Sequence, residues 1–211
     1  MAKLQWNKSS KEFRETMGKF AVAVWELEDK KALYSRTYKA RKVCLDTDLS
    51  DLEKLEKGEK GVLRDKSAIE KSIAEMTKTM EDARKVESAL EEEIKTRMKS
   101  AYELVSETLF GAYENRLENS EDYDKAISDF LRNNGVEPTT SGIAVLRDTV
   151  GEKEVHGKKV VKDAESMGLT THKKDAFCRL FLKGVAREMV KSGCLKTSMY
   201  AFEFVEEKKN K

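Results

Sequence analysis

The stretch IEKSIAEMTKTMEDARKVESALEEEI, residues 69–94, decides the fold. Ile69, Ile73, Met76, Met80, Ala83, Val86, Leu90 and Ile94 advance by three or four, and almost nothing but charged and small polar residues lies between them. That is the spacing of one face of an α-helix. Met98, Ala101, Val105, Leu109 and Ala112 carry the same stripe onward, to roughly twelve turns in all. A solvated helix of this length is not stable alone in water, so its narrow apolar face requires a partner.

The partner lies upstream. Phe13, Met17, Phe20, Val24, Leu27, Tyr34, Tyr38, Leu45, Leu52 and Leu55 fit the same alternation if Lys31, Arg41 and Asp48 occupy positions on the seam. Between the two stripes sits KGEKG, residues 57–61, in which Gly58 suits a left-handed helix cap. A connection this short makes its neighbours antiparallel. The sequence therefore predicts a mainly α protein: a long, coiled-coil-like helical hairpin over residues 1–118, with its turn near 58–61, followed by a small helical or α+β domain over 119–211. The arms run from about 10 to 57 and from 62 to 118, each of order 70 to 85 Å at 1.5 Å per residue. A turn centred on residues 59 and 60 sets Lys31 opposite Glu87 as a register pair, and Arg41 among Glu75, Glu81 and Asp82. The alternative for both members of the pair is to extend into water. A break near residues 44–55 is a further reading, because Ser50 and Glu53 have capping-box spacing.

Trp25, Val22, Tyr102 and Phe110 fall outside a narrow two-helix seam. They imply a second covered face, supplied by another copy, by the C-terminal part or by a partner protein.

Composition agrees with long solvated helices. Charged residues make up 38% of the 211, apolar residues 39%, and Pro138 is the single proline. The formal net charge of +2 leaves no polycation, so any nucleic-acid contact has to come from a local patch. Cys44, Cys178 and Cys194 are odd in number and have no ligand spacing, which points to neither a disulfide framework nor a zinc site. The longest apolar run, FAVAVW at 20–25, is too short to span a bilayer, and the first ten residues lack the apolar core of a signal peptide. The expectation is a cytoplasmic protein with no membrane contact.

Beyond residue 118 the pattern changes. Ser120 opens a short helix carrying Tyr123, Ile127, Phe130 and Leu131, closed by NNG at 133–135; Ile143, Val145, Leu146 and Val150 suggest another, ending at Gly151. KEVHGKKVV, residues 153–161, reads either as a hairpin or as the approach to a helix starting at Lys158. A firmer helix runs from about Thr171 to Ser192, with Gly193 as its stop. TSMYAFEFVEE then alternates like a strand, and the best partner in the sequence is the stretch 153–161.

No residues combine into catalytic machinery. There is no glycine-rich phosphate loop, no pair of histidines at metal spacing and no serine in a strained elbow. His156 and His172 read as solvent-facing, and no cofactor or metal is expected.

KDAESMGLTTHKKDAFCRLFLKGVAREMVKSGCLKTSMYAFEF, residues 162–204, resembles the order of a helix-turn-helix followed by a wing. Ala164 and Gly168 carry the four-residue spacing, GLTTHKK stands where the turn and recognition helix begin, and KSGCLKTSMYAFEF looks like the closing turn and strand. Lys174 departs from the pattern at a position the family keeps apolar. The resemblance implies DNA binding by the C-terminal part and dimerisation by the arm. Over 153–196, Lys and Arg outnumber Asp and Glu eleven to five, and Lys158, Lys159, Lys162, Lys173, Lys174, Arg179, Lys183 and Arg187 are the candidate contacts for nucleic acid or an acidic partner. The competing reading is the solvated face of an amphipathic helix.

Two functions follow. One is a non-enzymatic protein-interaction module, a scaffold, assembly factor or inhibitor of the kind phages and mobile elements encode, working on a protein partner or as a homodimer. The other is a DNA-binding regulator.

Overall fold

The computed structural model describes residues 3–151, 173–197 and 202–204, and over these the protein is mainly helical. A 3-10 turn, Trp6–Lys8, leads into α1, Lys11–Val22, which continues through a π-helical turn, Ala23–Leu27, into α2, Glu28–Glu56. Then come α3, Lys66–Tyr102; α4, Glu107–Glu114; α5, Ser120–Asn133; α6, Thr140–Arg147; and α7, Lys173–Lys191. Two short strands close the described chain: β1, Leu195–Thr197, pairs antiparallel with β2, Phe202–Phe204.

Contacts divide the chain into two compact units. One comprises residues 25–95; the other joins residues 1–24 to 96–211. The first is the greater part of α2 and α3. The second therefore takes in the start of the first long stripe and the end of the second, together with the C-terminal elements.

Within 25–95, α2 has 29 residues, and α3, which runs on to Tyr102, has 37. Gly58 adopts φ +71°, and the Glu59 amide donates to Lys54 O at 2.9 Å, so the left-handed cap at the end of α2 forms as its glycine suggests. The next helix starts later than residue 62. Asp65 caps it, accepting the Ala68 amide at 2.8 Å, and the connector runs from 57 to 65. The longer connector shifts the register by a turn. Lys31 Nζ lies 3.2 Å from Glu91 and not beside Glu87, while Lys66 Nζ lies 3.1 Å from Glu56. Ile69, Met76, Ala83 and Ile94 are buried, as the stripe requires, but Ile73, Met80 and Leu90 are only half-covered, Val86 is 38% exposed, and Tyr34, Tyr38, Leu45, Leu52 and Leu55 of α2 are likewise only half-covered.

The other unit has an aromatic core. Trp6 stacks on Phe13 at 6.3 Å, Phe13 meets Phe130 edge-on at 6.0 Å, and Phe130 meets Phe181 edge-on at 5.1 Å. Phe177 links Phe181 at 5.6 Å to Tyr113 at 4.6 Å, and Tyr113 meets Tyr123 edge-on. Each such ring pair adds about 0.5–1.5 kcal/mol beyond its burial. Phe110, one of the apolar residues left over from the seam, packs on Phe177 at 5.6 Å, so the C-terminal part does cover that stretch.

Caps set the helix boundaries. The stripe expected to run unbroken to 118 stops at Tyr102, and Ser106 starts α4 by accepting the Leu109 amide at 3.1 Å. Asn119, not Ser120, caps α5. Two glycines let backbones approach: a Cβ on Gly142 would lie 2.4 Å from Leu4, and one on Gly184 would lie 2.4 Å from Thr149. The strand expected around Phe202 forms and pairs with Leu195–Thr197, while the partner suggested by the sequence, 153–161, lies outside the described residues. A segment close in sequence is a cheaper partner than a distant one, because closing a long loop costs more chain entropy. The 153–161 stretch, the helix start at Lys158, His156 and His172 lie outside the described residues.

Candidate functional site

Two places in the described chain concentrate charge. The first is a polar groove of about 450 Å³ between α2 and α3, lined by Arg41, Cys44, Thr47, Asp48, Arg64, Ser72, Glu75, Met76 and Thr79. Asp48 stands on the seam of α2, where helical spacing turns it inward, and it is 4% exposed. A bare carboxylate there would carry a large desolvation cost. Arg64, from the connector, donates to its Oδ1 and also reaches Asp51 at 3.5 Å. The Arg64 hydrogen bond, and after it that of Ser72, hold the Asp48 carboxyl below its usual value of 3.8, against the effect of burial. The groove's hydroxyls are engaged locally: Thr47 donates to Val43 O at 3.0 Å and Thr79 to Glu75 O at 2.8 Å. The Asp48–Ser72 hydrogen bond links the two helices, and the Arg64–Asp48 hydrogen bond ties the connector to α2.

The second is α7. Its sequence repeats apolar residues on a face wide enough to bury Phe177, Cys178, Phe181, Leu182, Val185, Ala186 and Met189. What remains is a narrow solvent strip. Lys173, Lys183 and Arg187 share that strip, and Lys191 ends it, its Nζ 2.7 Å from Glu188. Lys174 lies off the strip and forms an ion pair with Glu107 of α4. Arg179 and Lys183 are half-buried. Lys158, Lys159 and Lys162 lie outside the described residues. The structure therefore brings three of the eight candidate residues onto one strip and commits a fourth to an internal contact. Burial pushes the Cys178 thiol up to about 12 and raises that of Cys194, whereas Cys44 is exposed.

Sequence reasoning placed Asp48 on the seam without seeing its role. The signal that could have found it was a lone Arg64 in the connector beside an otherwise uncompensated acid in an apolar stripe. Among the described residues no group of His, Cys, Asp or Glu is arranged to hold a metal ion, and no helix is long and apolar enough to cross a membrane. No protein-family model matches the chain, and no curated protein or solved structure matches it either.

Proposed function

We propose that the chain is a non-enzymatic interaction module in which α2 and α3 form a rigid antiparallel hairpin that docks on a protein partner as a scaffold, assembly factor or inhibitor. The observation that carries this reading is Leu63: it is 101% exposed at the connector, close to Gly61 at φ +119°, on a loop whose Arg64, like Lys66 at the start of α3, is tied back to α2. An apolar side chain held out on a pinned loop suits an anchor that fills a partner's pocket. Leu49, 47% exposed on α2, is a second apolar side chain open to solvent. The test is affinity capture from cells of the source organism, comparing the intact chain with Leu49→Glu and Leu63→Glu variants. Loss of one captured protein with both variants supports the reading, and retention with both contradicts it.

A second reading, a DNA-binding regulator, is favoured by Lys173, Lys183 and Arg187 sharing one strip of α7. It expects binding that weakens steeply with salt and disappears when those three charges are reversed.

A further inference from the structure

We infer that the protein partner proposed above presents a short acidic segment to α2, docked on the side of the helix that carries Arg36, Lys39 and Val43. The inference rests on the docking reading and gives its partner a chemistry. Residues 30–42 hold Lys30, Lys31, Arg36, Lys39, Arg41 and Lys42 and no acid. Lys31 is paired with Glu91 of α3, whereas the other five are exposed and have no ion-pair partner among the described residues. The acid-rich end of the same helix is in the opposite condition: Asp48 and Asp51 are paired with Arg64, Glu53 with Lys57, and Glu56 with Lys66. Local spacing explains the difference. Arg36, Lys39 and Arg41 have no acid three or four residues away in either direction, so pairs between successive turns are not open to them. The facing helix supplies little. With Lys31 beside Glu91 and Glu56 beside Lys66, residues 80–92 of α3 lie opposite, and there Glu91, Asp82 and Glu92 are already paired with Lys31, Lys85 and Lys95.

Helical spacing fixes where the segment docks. Arg36, Lys39 and Val43 advance by three and four, and they lie on the far side of α2 from the half-covered seam residues Tyr34, Tyr38 and Leu45. None of the three lines the groove between the helices. Val43 is 67% exposed, and Leu33, 59% exposed, stands at one edge of this side with Lys42 at the other. Apolar side chains set among cations match a partner segment that carries an apolar residue between carboxylates. The helix itself limits the length of that segment. Asp29, two turns before Arg36, and Asp46, one turn after Val43, continue the same side with the opposite charge. The cations between them span about 18 Å. A nucleic acid running along α2 would set its phosphates against both acids, so a short stretch of protein is the occupant that fits.

The test is fluorescence anisotropy of the intact chain with labelled peptides that share one leucine pattern and carry Glu, Gln or Lys at the other positions, and with duplex DNA, over a salt series. The variants are Arg36→Glu with Lys39→Glu, Val43→Ser, and Leu63→Glu as a control. All four positions are exposed, so the variants should fold, and circular dichroism checks that they do. The expected result is binding of the Glu peptide alone, weakened by salt, by about tenfold in the double charge reversal and also by Val43→Ser, and unchanged by Leu63→Glu. No binding of the Glu peptide at low salt, indifference to the charge reversal or to Val43→Ser, or DNA bound as tightly would overturn it. If the peptides fail while capture is lost in the Leu49 and Leu63 variants, the docking reading stands and only the acidic segment falls. Capture retained in both of those variants contradicts the docking reading whatever the peptides do.

Discussion

Arg64 reaches back from the connector to donate a hydrogen bond to Asp48, a carboxylate buried on the seam of α2. The pair ties the connector to a point about two turns before the end of α2. Arg64 and Ser72 hold the Asp48 carboxyl below its usual value of 3.8. A depressed folded-state value means stability that is fully present above about pH 4 and is lost as pH falls through the lowered value. Acid unfolding of the intact chain should therefore show a component below pH 4 that Asp48→Asn removes. An unchanged acid limb in the variant would count against the pairing.

Replacing the acid with an apolar residue should behave differently from breaking the pair. Asp48→Leu completes the stripe, and its stability in urea should lie within about 1 kcal/mol of the parent or above it. Arg64→Met leaves a buried carboxylate uncompensated and should lower the urea midpoint. If both variants lose stability equally, the groove depends on the charge itself.

The register rests on Lys31 and Glu91, 3.2 Å apart. Each side chain is partly exposed, so the pair contributes on the order of 0.5 kcal/mol. A double-mutant cycle should give a coupling of that size for Lys31 with Glu91 and none for Lys31 with Glu87. Coupling to Glu87 would restore the shorter turn.

This one-turn difference shows which parts of the fold can be read from sequence. The stripe from Ile69 to Ile94 is legible because periodicity is a property of the segment itself. The start of α3 is not, because Val62 and Leu63 could open a helix as well as Lys66 does, and the choice falls to the Asp65 cap. The break after Tyr102 was hidden for a related reason. Val105 and Leu109 continue the helical spacing, yet both are buried on either side of a turn that Ser106 terminates. At the candidate sites, charge could be counted from the sequence, but its availability could not. Lys174 and Lys173 are adjacent, and only the fold shows that Lys174 is paired with Glu107.

Gly184 lets α7 approach Thr149, and an added Cβ would sit 2.4 Å from that side chain. Gly184→Ala should cost about 1–3 kcal/mol in chemical denaturation. Thr149→Ser in the same chain should recover part of it, since the closest atom is the Thr149 methyl. No recovery would place the strain elsewhere in α7.

Burial pushes the Cys178 thiol up to about 12 and raises Cys194, so neither should react with a thiol reagent at neutral pH in the folded chain. One thiol, the exposed Cys44, should react promptly, and three should do so after denaturation. Prompt reaction of a second thiol would show that the aromatic core opens.

The central claim is that the chain works through apolar contacts of its two-helix unit and not through phosphate contacts of α7. Titrating the intact protein against fluorescent duplex and single-stranded nucleic acid at low salt tests this most directly, because phosphate contacts are then at their strongest. The account predicts no saturable binding, and no difference when Lys173, Lys183 and Arg187 are reversed to Glu. Tight binding that fades with salt and is lost in that triple variant would contradict the account and establish the DNA-binding reading in its place.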